Sequence, residues 1–248
     1  MTSKSLLEPF VHNLGRQYPL TNDDKDAIFG IDVETHKYKS NNFLIKEYRP
    51  NDYCLILSSG YACSIKITSS GSRQIISIYL PGDGINLQNL LIDQLDYSVM
   101  SLSDVEVMAI RREDLLRLKH RHPSVERALD LQFVRETSIH REWLLSVSRR
   151  EALARLAHLL CELSVRVRAA GLADQYGDGL PLTQQVMADC VGLTTVHLNR
   201  VYRRLEKDGL IERIGKKLTL PRWEELRAVA DFDSRYLHLT AKTLPQAA

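Results

Sequence analysis

The sequence predicts an α+β fold in which an N-terminal β-barrel or jelly roll precedes a long dimerisation helix and a C-terminal winged helix-turn-helix. Three observations lead to this prediction. Short strand-like runs separated by turn residues occupy positions 33–110. Residues 124–170 contain neither glycine nor proline, as expected of long helices. Residues 183–205 then show the spacing of two short helices that cross at a glycine turn.

The chain has 248 residues, which is enough for two domains that each bury a core. The changes in pattern predict four regions. They are an effector or sensor β-barrel with N-terminal helices at 1–120, a dimerisation helix and hinge at 121–148, a winged helix-turn-helix domain at 149–233, and a flexible tail at 234–248.

Residues 5–30 are predicted to form two helices before the strands begin. Leu6, Leu7 and Phe10 make a short apolar face. The run Thr21-Asn22-Asp23-Asp24 supplies a cap and an acidic first turn for the second helix.

Strand-like runs follow at residues 53–57, 61–68, 75–80 and 105–110. Turn residues separate them, as at Pro81-Gly82-Asp83-Gly84. Strands of this length, with turns at this spacing, favour a closed barrel or a jelly roll over a parallel sheet.

The middle of the chain is predicted to be helical over a long distance. A short helix at 112–121 ends at His122-Pro123. Apolar residues then recur at steps of three and four: Val125, Ala128, Leu129, Ile139, Trp143 and Val147. A helix that is apolar on more than one side needs partners on both, so we predict contacts with its own barrel and with the same helix of a second subunit. Packing within one chain is the alternative. The pair Arg149-Arg150 is the predicted hinge, because a new amphipathic helix follows it.

Residues 184–203 fit the twenty-residue unit of a helix-turn-helix. The apolar positions that must be buried where the two helices cross are Met187, Val191, Leu193, Leu198 and Val201. Ala188 is small where the helices meet, and Gly192 suits a turn that needs positive φ. Thr183 and Thr194 precede the two helices as N-cap residues.

The outer face of the second helix is predicted to read base edges in the major groove of double-stranded DNA. The candidate base-reading residues are Thr195, Val196, Asn199 and Arg200. Asn and Arg can each make bidentate hydrogen bonds to purine edges. The alternative interpretation is an ordinary helical hairpin with a basic solvated face.

A predicted hairpin follows this helix and resembles the wing of a winged helix. It spans residues 210–220, with two lysines at its tip. Residues 200–217 contain seven basic and three acidic side chains, and this excess suits neutralisation of phosphates. The candidate phosphate contacts are Thr183, Thr194, His197, Arg203, Arg204, Lys216 and Lys217, although His197 could equally be a packing residue.

Composition excludes several other classes of protein. A net charge of +2 gives no general affinity for polyanions. The apolar stretches are too short to span a bilayer, and the N-terminus lacks the pattern of a secretory signal. Four scattered cysteines predict reduced thiols in a cytoplasmic protein and argue against an iron–sulfur cluster. We find no signature of an enzyme active site, so no catalytic residue is predicted.

The order of barrel, long helix and winged helix-turn-helix resembles that of the CRP/FNR transcription regulators, over roughly residues 35–230. The most specific segments are LPLTQQVMADCVGLTTVHLNRVYRRLEKDGLI at 180–211 and GSRQIISIYLPGDGINLQ at 71–88. The resemblance implies a cyclic-nucleotide-binding-like barrel and a homodimer that binds two-fold symmetric DNA and contacts RNA polymerase.

The same resemblance implies roles for residues of the second helix. Arg200 matches the arginine that reads a guanine in the family's half-site. Val196 stands where many members have a glutamate that accepts from a base, so we expect a different half-site here, with a thymine methyl as one possible partner of Val196.

The implied effector pocket departs from that of nucleotide-binding members. Asn86-Leu87 replaces a Gly-Glu pair, and Leu95-Asp96 stands near the place of an Arg-Ser pair. No Lys, Arg or His occurs between Gln74 and Ile110, so nothing in that segment could neutralise a phosphate. The candidate pocket residues are Gly82, Asp83, Asn86, Leu87, Asp96 and Ser98, with no assigned ligand.

The sequence therefore argues against a cyclic nucleotide, and we predict no cofactor. The cysteines do not match the cluster ligands of oxygen-sensing members. His12, His36 and Cys63 could ligate a haem iron, but isolated residues of these types are usually structural. The leading hypothesis is a homodimeric DNA-binding transcription regulator. The alternative is a ligand-sensing module whose helical domain contacts a protein instead of DNA.

Overall fold

The computed structural model describes residues 3–214 and 217–239, with side chains from residue 5 onward. The chain divides into two compact units. The first comprises Met1–Ser72 and Ile76–Glu136, and the second comprises Arg73–Ile75 and Thr137–Ala248.

The first unit begins with two helices, α1 (Ser3–Gln17) and α2 (Asn22–Phe29). The predicted cap of α2 is present as a reciprocal capping box. Thr21 Oγ1 accepts from the amide of Asp24 at 3.1 Å, and Asp24 Oδ2 accepts from the amide of Thr21 at 2.8 Å. Two amides that the first turn would leave unpaired are thereby satisfied.

Seven strands form two sheets instead of a closed barrel, so the jelly-roll alternative describes this unit better. They are β1 (Glu34–Tyr38), β2 (Phe43–Ile45), β3 (Tyr53–Ser59), β4 (Ala62–Ile67), β5 (Arg73–Tyr79), β6 (Ser98–Ser101) and β7 (Val105–Arg111). One sheet has the order β1-β7-β3 and the other β2-β6-β4-β5. Strands β3, β4, β5 and β7 coincide with the four predicted runs, whereas β1, β2 and β6 were not among them.

Two apolar clusters hold this unit together. One joins α1, α2 and the first turns of α4 (Pro123–Arg149) to β3 and β7, with Phe10, Ile56 and Met108 fully buried. The other lies among the strands and includes Leu57 and Val107. Burial of each such side chain stabilises the fold by about 1.5–3 kcal/mol.

Helix α3 (Arg112–Arg121) connects the last strand to α4. It ends at His122, and Pro123 then occupies the first position of α4, where a missing N–H costs nothing. Helix α4 ends at Arg149 and α5 (Ala152–Ala169) follows, so the predicted hinge lies at the break between them.

The second unit confirms the predicted winged helix-turn-helix. Its remaining elements are α6 (Ala173–Tyr176), α7 (Gln184–Val191), α8 (Thr195–Lys207), β8 (Glu212–Ile214), β9 (Lys217–Thr219), α9 (Trp223–Ala230) and a 3-10 helix (Ser234–Leu237). Helix α6 lies within residues 171–179, whose polar, glycine-containing sequence predicts a loop. None of the helices within the described ranges is long and apolar enough to cross a bilayer.

Residues 234–238 differ from the flexible tail that the sequence predicts. They form the 3-10 helix and its cap, and Leu237 is fully buried. The physical reason is that Phe232, Tyr236 and Leu237 offer apolar surface to the second unit, and their burial offsets the entropy of ordering a short segment. Residues 240–248 of the predicted tail lie outside the described residues.

Candidate nucleic-acid interface

The turn between α7 and α8 has the geometry that its glycine allows. Gly192 adopts φ 65°, in the left-handed region. The carbonyl of Ala188 accepts from the amides of both Gly192 and Leu193, the latter at 3.0 Å. Arg155 of α5 donates from Nη1 to the carbonyl of Val191 at 3.0 Å. Two carbonyls at the end of α7 are thus satisfied, which helps to fix the direction in which α8 leaves the turn.

Both threonines predicted as caps form the expected hydrogen bonds. Thr183 Oγ1 accepts from the amide of Val186, and Thr194 Oγ1 accepts from the amide of His197, each at 3.2 Å. Each hydroxyl thereby satisfies one amide at a helix N-terminus, and an N-cap of this kind contributes about 1 kcal/mol. Each hydroxyl still has its own proton available for a phosphate oxygen.

The inner faces of α7 and α8 are buried where the sequence predicts. Ala188 and Leu198 are fully buried, and Met187, Val191 and Val201 are nearly so. Leu193, in the turn, is half-buried. This packing leaves the opposite face of α8 outside the core.

The outer face of α8 carries the predicted base-reading residues. Val196 is 64% exposed, and Arg200 is exposed four residues later. Thr195 and Asn199 are half-buried, and Thr195 Oγ1 donates to Gln185 Oε1 at 2.8 Å. The four residues therefore share a helix face, but Thr195 already has a partner on α7.

The arginines of α8 form a basic surface. Arg200 and Arg203 have no hydrogen-bond or ion-pair partner among the residues that the structure describes. Arg204 lies 3.8 Å from Asp208, in a pair whose side chains are both exposed and which contributes little. His197 is also exposed. The positive charge of this surface is therefore largely uncompensated by the residues that the structure describes.

The hairpin that follows α8 is anchored by Asp174 and Asp178, which lie in the predicted loop at residues 171–179. Strands β8 and β9 pair with Arg213 opposite Leu218. The amide of Asp178 donates to the carbonyl of Leu218, and Asp178 Oδ2 accepts from the amide of Leu220, both at 2.9 Å. Lys217 Nζ donates to the carbonyl of Asp174 at 2.6 Å, so a phosphate would compete with that bond. Lys216 lies outside the described residues.

In the first unit, Gly82 and Asp83 of the predicted effector pocket lie under α1. A Cβ on Gly82 would come within 2.4 Å of the carbonyl oxygen of Pro9. Asp83 Oδ1 accepts from Asn13 Nδ2 at 3.0 Å and from Arg135 Nη2 of α4 at 2.9 Å. The segment around Asp83 contains no cationic residue, but the fold pairs this carboxylate with Arg135.

The other candidate pocket residues each contact a different part of the first unit. Asn86 is fully buried, with Oδ1 accepting from the amide of Leu55 at 2.6 Å. Leu87 belongs to the apolar cluster beneath α1. Asp96 is exposed and pairs with Lys66. Ser98 is buried, and its Oγ accepts from the amide of Glu47 at 3.1 Å.

Glu136 of α4 forms a polar cluster with residues of this same region, and sequence reasoning missed it. Its Oε2 accepts from Gln88 Nε2 at 2.7 Å, and its Oε1 accepts from the Tyr79 hydroxyl at 3.4 Å. The Tyr97 hydroxyl donates to Gln88 Oε1 at 2.9 Å. Burial raises the pKa of Glu136 to about 7. A helical position so far along the chain gives no local sign of these partners.

The residues considered as ligands for iron do not come together. His12 and His36 are exposed, whereas Cys63 is buried in β4. All four cysteines are buried free thiols, and burial raises the pKa of Cys54 and Cys161 to about 12. Within the described ranges, no three His, Cys, Asp or Glu side chains form a group that could hold a metal ion.

Two family models match the chain, one in each part of the architecture. The Crp-like helix-turn-helix domain matches residues 154–229, and the cyclic nucleotide-binding domain matches residues 35–122.

Several known proteins are similar to this chain over most of its length. Transcriptional activator protein anr of Pseudomonas aeruginosa is 28% identical over 211 residues, which cover 85% of this chain and 86% of that protein. Transcriptional activator protein FnrL of Cereibacter sphaeroides is 27% identical over 183 residues, 73% of each chain. The solved structure of FixK2 from Bradyrhizobium japonicum has a TM-score of 0.71 at 24% identity and covers 80% of this chain and 98% of that one.

Proposed function

We propose that this chain, which belongs to the CRP/FNR family of transcription regulators, binds double-stranded DNA as a homodimer at a two-fold symmetric site. The family consists of DNA-binding regulators and not of enzymes. One observation carries the proposal. Helix α8 buries one face in its own domain and leaves Arg200 and Arg203 exposed on the other, without partners among the described residues. Residues 194–205 are the segment we place in the major groove.

Base readout is assigned to the exposed face of α8. Arg200 is the candidate for a bidentate contact with guanine O6 and N7, and Asn199 can take part in reading an adjacent base. Val196 offers an apolar surface that suits a thymine methyl and has no carboxylate to accept from cytosine. Thr195 would have to release its bond to Gln185 before it could contact a base.

Phosphate contacts are assigned to the residues around that face. Arg203 and Arg204 continue it by one turn, and the hydroxyls of Thr183 and Thr194 lie at helix N-termini, where phosphates are favoured. The predicted contacts of His197, Lys216 and Lys217 complete the set. These contacts position the protein on DNA without reading sequence.

The homodimer is assigned to the exposed apolar face of α4. Leu144 and Leu145 are 67% and 46% exposed. Both lie in the C-terminal half of the helix, within the second unit. A second copy of α4 would cover them, as the family's dimeric architecture requires. RNA polymerase is proposed as a further partner on the ground of family membership.

The first unit is proposed to act without a cyclic nucleotide. The family's pocket needs a cation for the cyclic phosphate, yet the segment between Gln74 and Ile110 has none. Arg135 reaches this region from α4, but its guanidinium is ion-paired with Asp83, and Glu136 adds a second carboxylate nearby. These residues do not fit a phosphate. The buried, separated cysteines likewise support the proposal that no iron–sulfur cluster or haem is bound.

Selection of bound sequences from random DNA duplexes tests the proposal. The native protein should enrich a two-fold symmetric site at moderate salt. Arg200→Ala should lose about 1–3 kcal/mol at one guanine position and relax specificity there. Arg49→Ala is the matched control, since Arg49 is an exposed arginine of the first unit. Failure of the native protein to enrich any symmetric site would refute DNA recognition, and equal losses on specific and random DNA would refute the role of Arg200.

A further inference from the structure

Residues 231–238 follow the matched helix-turn-helix family model, which ends at residue 229. The segment begins at Asp231, the C-cap residue of α9, and includes the 3-10 helix Ser234–Leu237 and its cap residue His238. Phe232 is 5% exposed and Leu237 is fully buried. This segment is part of the core of the second unit, although the match to the family model ends before it.

Glu162 of α5 ties this segment to two helices. It is fully buried, and its Oε2 accepts from the Tyr236 hydroxyl at 2.9 Å and from Trp143 Nε1 of α4 at 2.8 Å. Arg166 Nη1 donates to Oε1 at 3.2 Å. A buried carboxylate is tolerated only when its oxygens are satisfied. Loss of the Tyr236 hydroxyl would remove one of these donors in a site that water does not reach.

His158 provides a second attachment, through its ring. It is 1% exposed, and burial together with the nearby Arg150 lowers its pKa to about 3. The imidazole is therefore neutral. It stacks on Tyr236 with centroids 5.8 Å apart and meets Phe232 edge-on at 5.2 Å. Pairs with this geometry stabilise the fold beyond the area that they bury.

The segment also contacts the C-terminal half of α4. His238 Nε2 and Ser138 Oγ are 3.0 Å apart, within hydrogen-bond distance. Arg150, next to the break between α4 and α5, donates from Nη2 to Glu142 Oε1 of α4 at 2.6 Å and to the carbonyl of Asp231 at 3.4 Å. Residues 231–238 thus contact helices on both sides of the break.

We propose that residues 231–238 form a clasp, which holds the C-terminal half of α4 against α5 and so fixes the helix-turn-helix relative to the end of α4. The part of the proposal that concerns DNA rests on the proposed function. If the end of α4 belongs to the dimer interface, the clasp sets the spacing of the two recognition helices. Without it, the DNA-competent arrangement is a smaller fraction of the population, and the apparent Kd rises in inverse proportion to that fraction.

Tyr236 is the residue to change, because it contacts both Glu162 and His158. Tyr236→Phe keeps the ring and removes the hydrogen bond to Glu162, whereas Tyr236→Ala removes this hydrogen bond and the stacking on His158. Arg235→Ala is the matched control, since Arg235 is 91% exposed and its side chain pairs with Asp233 inside the segment. Hydrogen exchange of amides 147–158 measures the break directly, without DNA. Fluorescence anisotropy with the selected DNA site measures binding.

The clasp predicts that exchange in residues 147–158 accelerates about tenfold in Tyr236→Ala, equivalent to about 1.4 kcal/mol. Tyr236→Phe should show a smaller acceleration and Arg235→Ala none. The Kd for DNA should rise in the same order, up to about tenfold. Unchanged exchange in both Tyr236 variants would overturn the clasp, whatever their DNA affinity. If the native protein bound no DNA, the proposed function would be refuted. The hydrogen-exchange rates alone would then test whether the clasp holds α4 against α5.

Discussion

Glu136 gives the first unit a dependence on pH that a single substitution should remove. The carboxylate lies between Gln88 and Tyr79, with Tyr97, Asp83 and Arg135 around it. Burial is the main reason that its pKa rises. Glu136→Gln keeps the size and the acceptor oxygen of the side chain but cannot ionise. The pH dependence of stability should therefore differ between the native protein and this variant.

The direction of this pH dependence follows from the difference in proton binding between the folded and unfolded chain. The pKa of Glu136 rises from 4.5 to about 7 on folding, so between these pH values the folded chain keeps a proton that the unfolded chain has released. Stability from this group is complete below pH 4.5 and is lost as the pH rises through 7. Each pKa unit corresponds to about 1.4 kcal/mol, so the full effect is about 3 kcal/mol.

Urea denaturation at constant protein concentration, from about pH 5 to pH 8, measures the effect. The free energy of unfolding of the native protein should fall relative to that of Glu136→Gln as the pH rises. Glu126→Gln is the control, because Glu126 is an exposed carboxylate of the same helix. Parallel curves for the native protein and Glu136→Gln would refute the reasoning, and so would an equal change in the Glu126→Gln curve.

Three further predictions concern other parts of the molecule. Leu198→Ala should lower the free energy of unfolding by about 2–5 kcal/mol, because the side chain is fully buried. Val196→Ala, at a position that is 64% exposed, should change this free energy by less than about 0.5 kcal/mol. Urea denaturation of the two variants measures the difference. Leu145→Glu should convert dimer to monomer in light scattering, and a monomer from Leu91→Glu, at a 70% exposed position of the first unit, would instead point to nonspecific disruption. Cyclic AMP and cyclic GMP should give no saturable rise in Tm; such a rise would show that the pocket binds a phosphate after all.

The helix-turn-helix could be predicted from sequence because its determinants are local. Gly192 supplies the left-handed turn, and the caps of Thr183 and Thr194 act within three residues of each hydroxyl. The burial of Met187 and Leu198 follows from helical spacing alone. Short strands such as β2, with three residues, gave no comparable signal, because three residues are too few to show alternation.

The anchoring of the wing and the burial of the C-terminal segment could not be predicted in this way. Asp178 has the character of a polar loop residue, yet its carboxylate accepts from the backbone amide of Leu220, 42 residues away, and only the fold identifies that partner. Tyr236 and Leu237 did indicate burial, because two large side chains with apolar surface in a predicted tail favour packing against the domain. The sequence did not show that Glu162, inside an apolar helix, accepts a hydrogen bond there.

The ion pair of Asp83 in the first unit could not be predicted from the sequence either. Counting residues between Gln74 and Ile110 leaves Asp83 without a cation, but Arg135 reaches it from 52 residues further along the chain. A largely buried arginine that already pairs with a buried carboxylate binds a new anion only if that pair separates, which costs the energy of the pair. We therefore do not expect Arg135 to replace the arginine that the resemblance implies for the pocket. The ion pair instead fixes α4 to the Gly82-Asp83 turn, so a signal that separates Arg135 from Asp83 would act directly on the helix to which we assign the dimer.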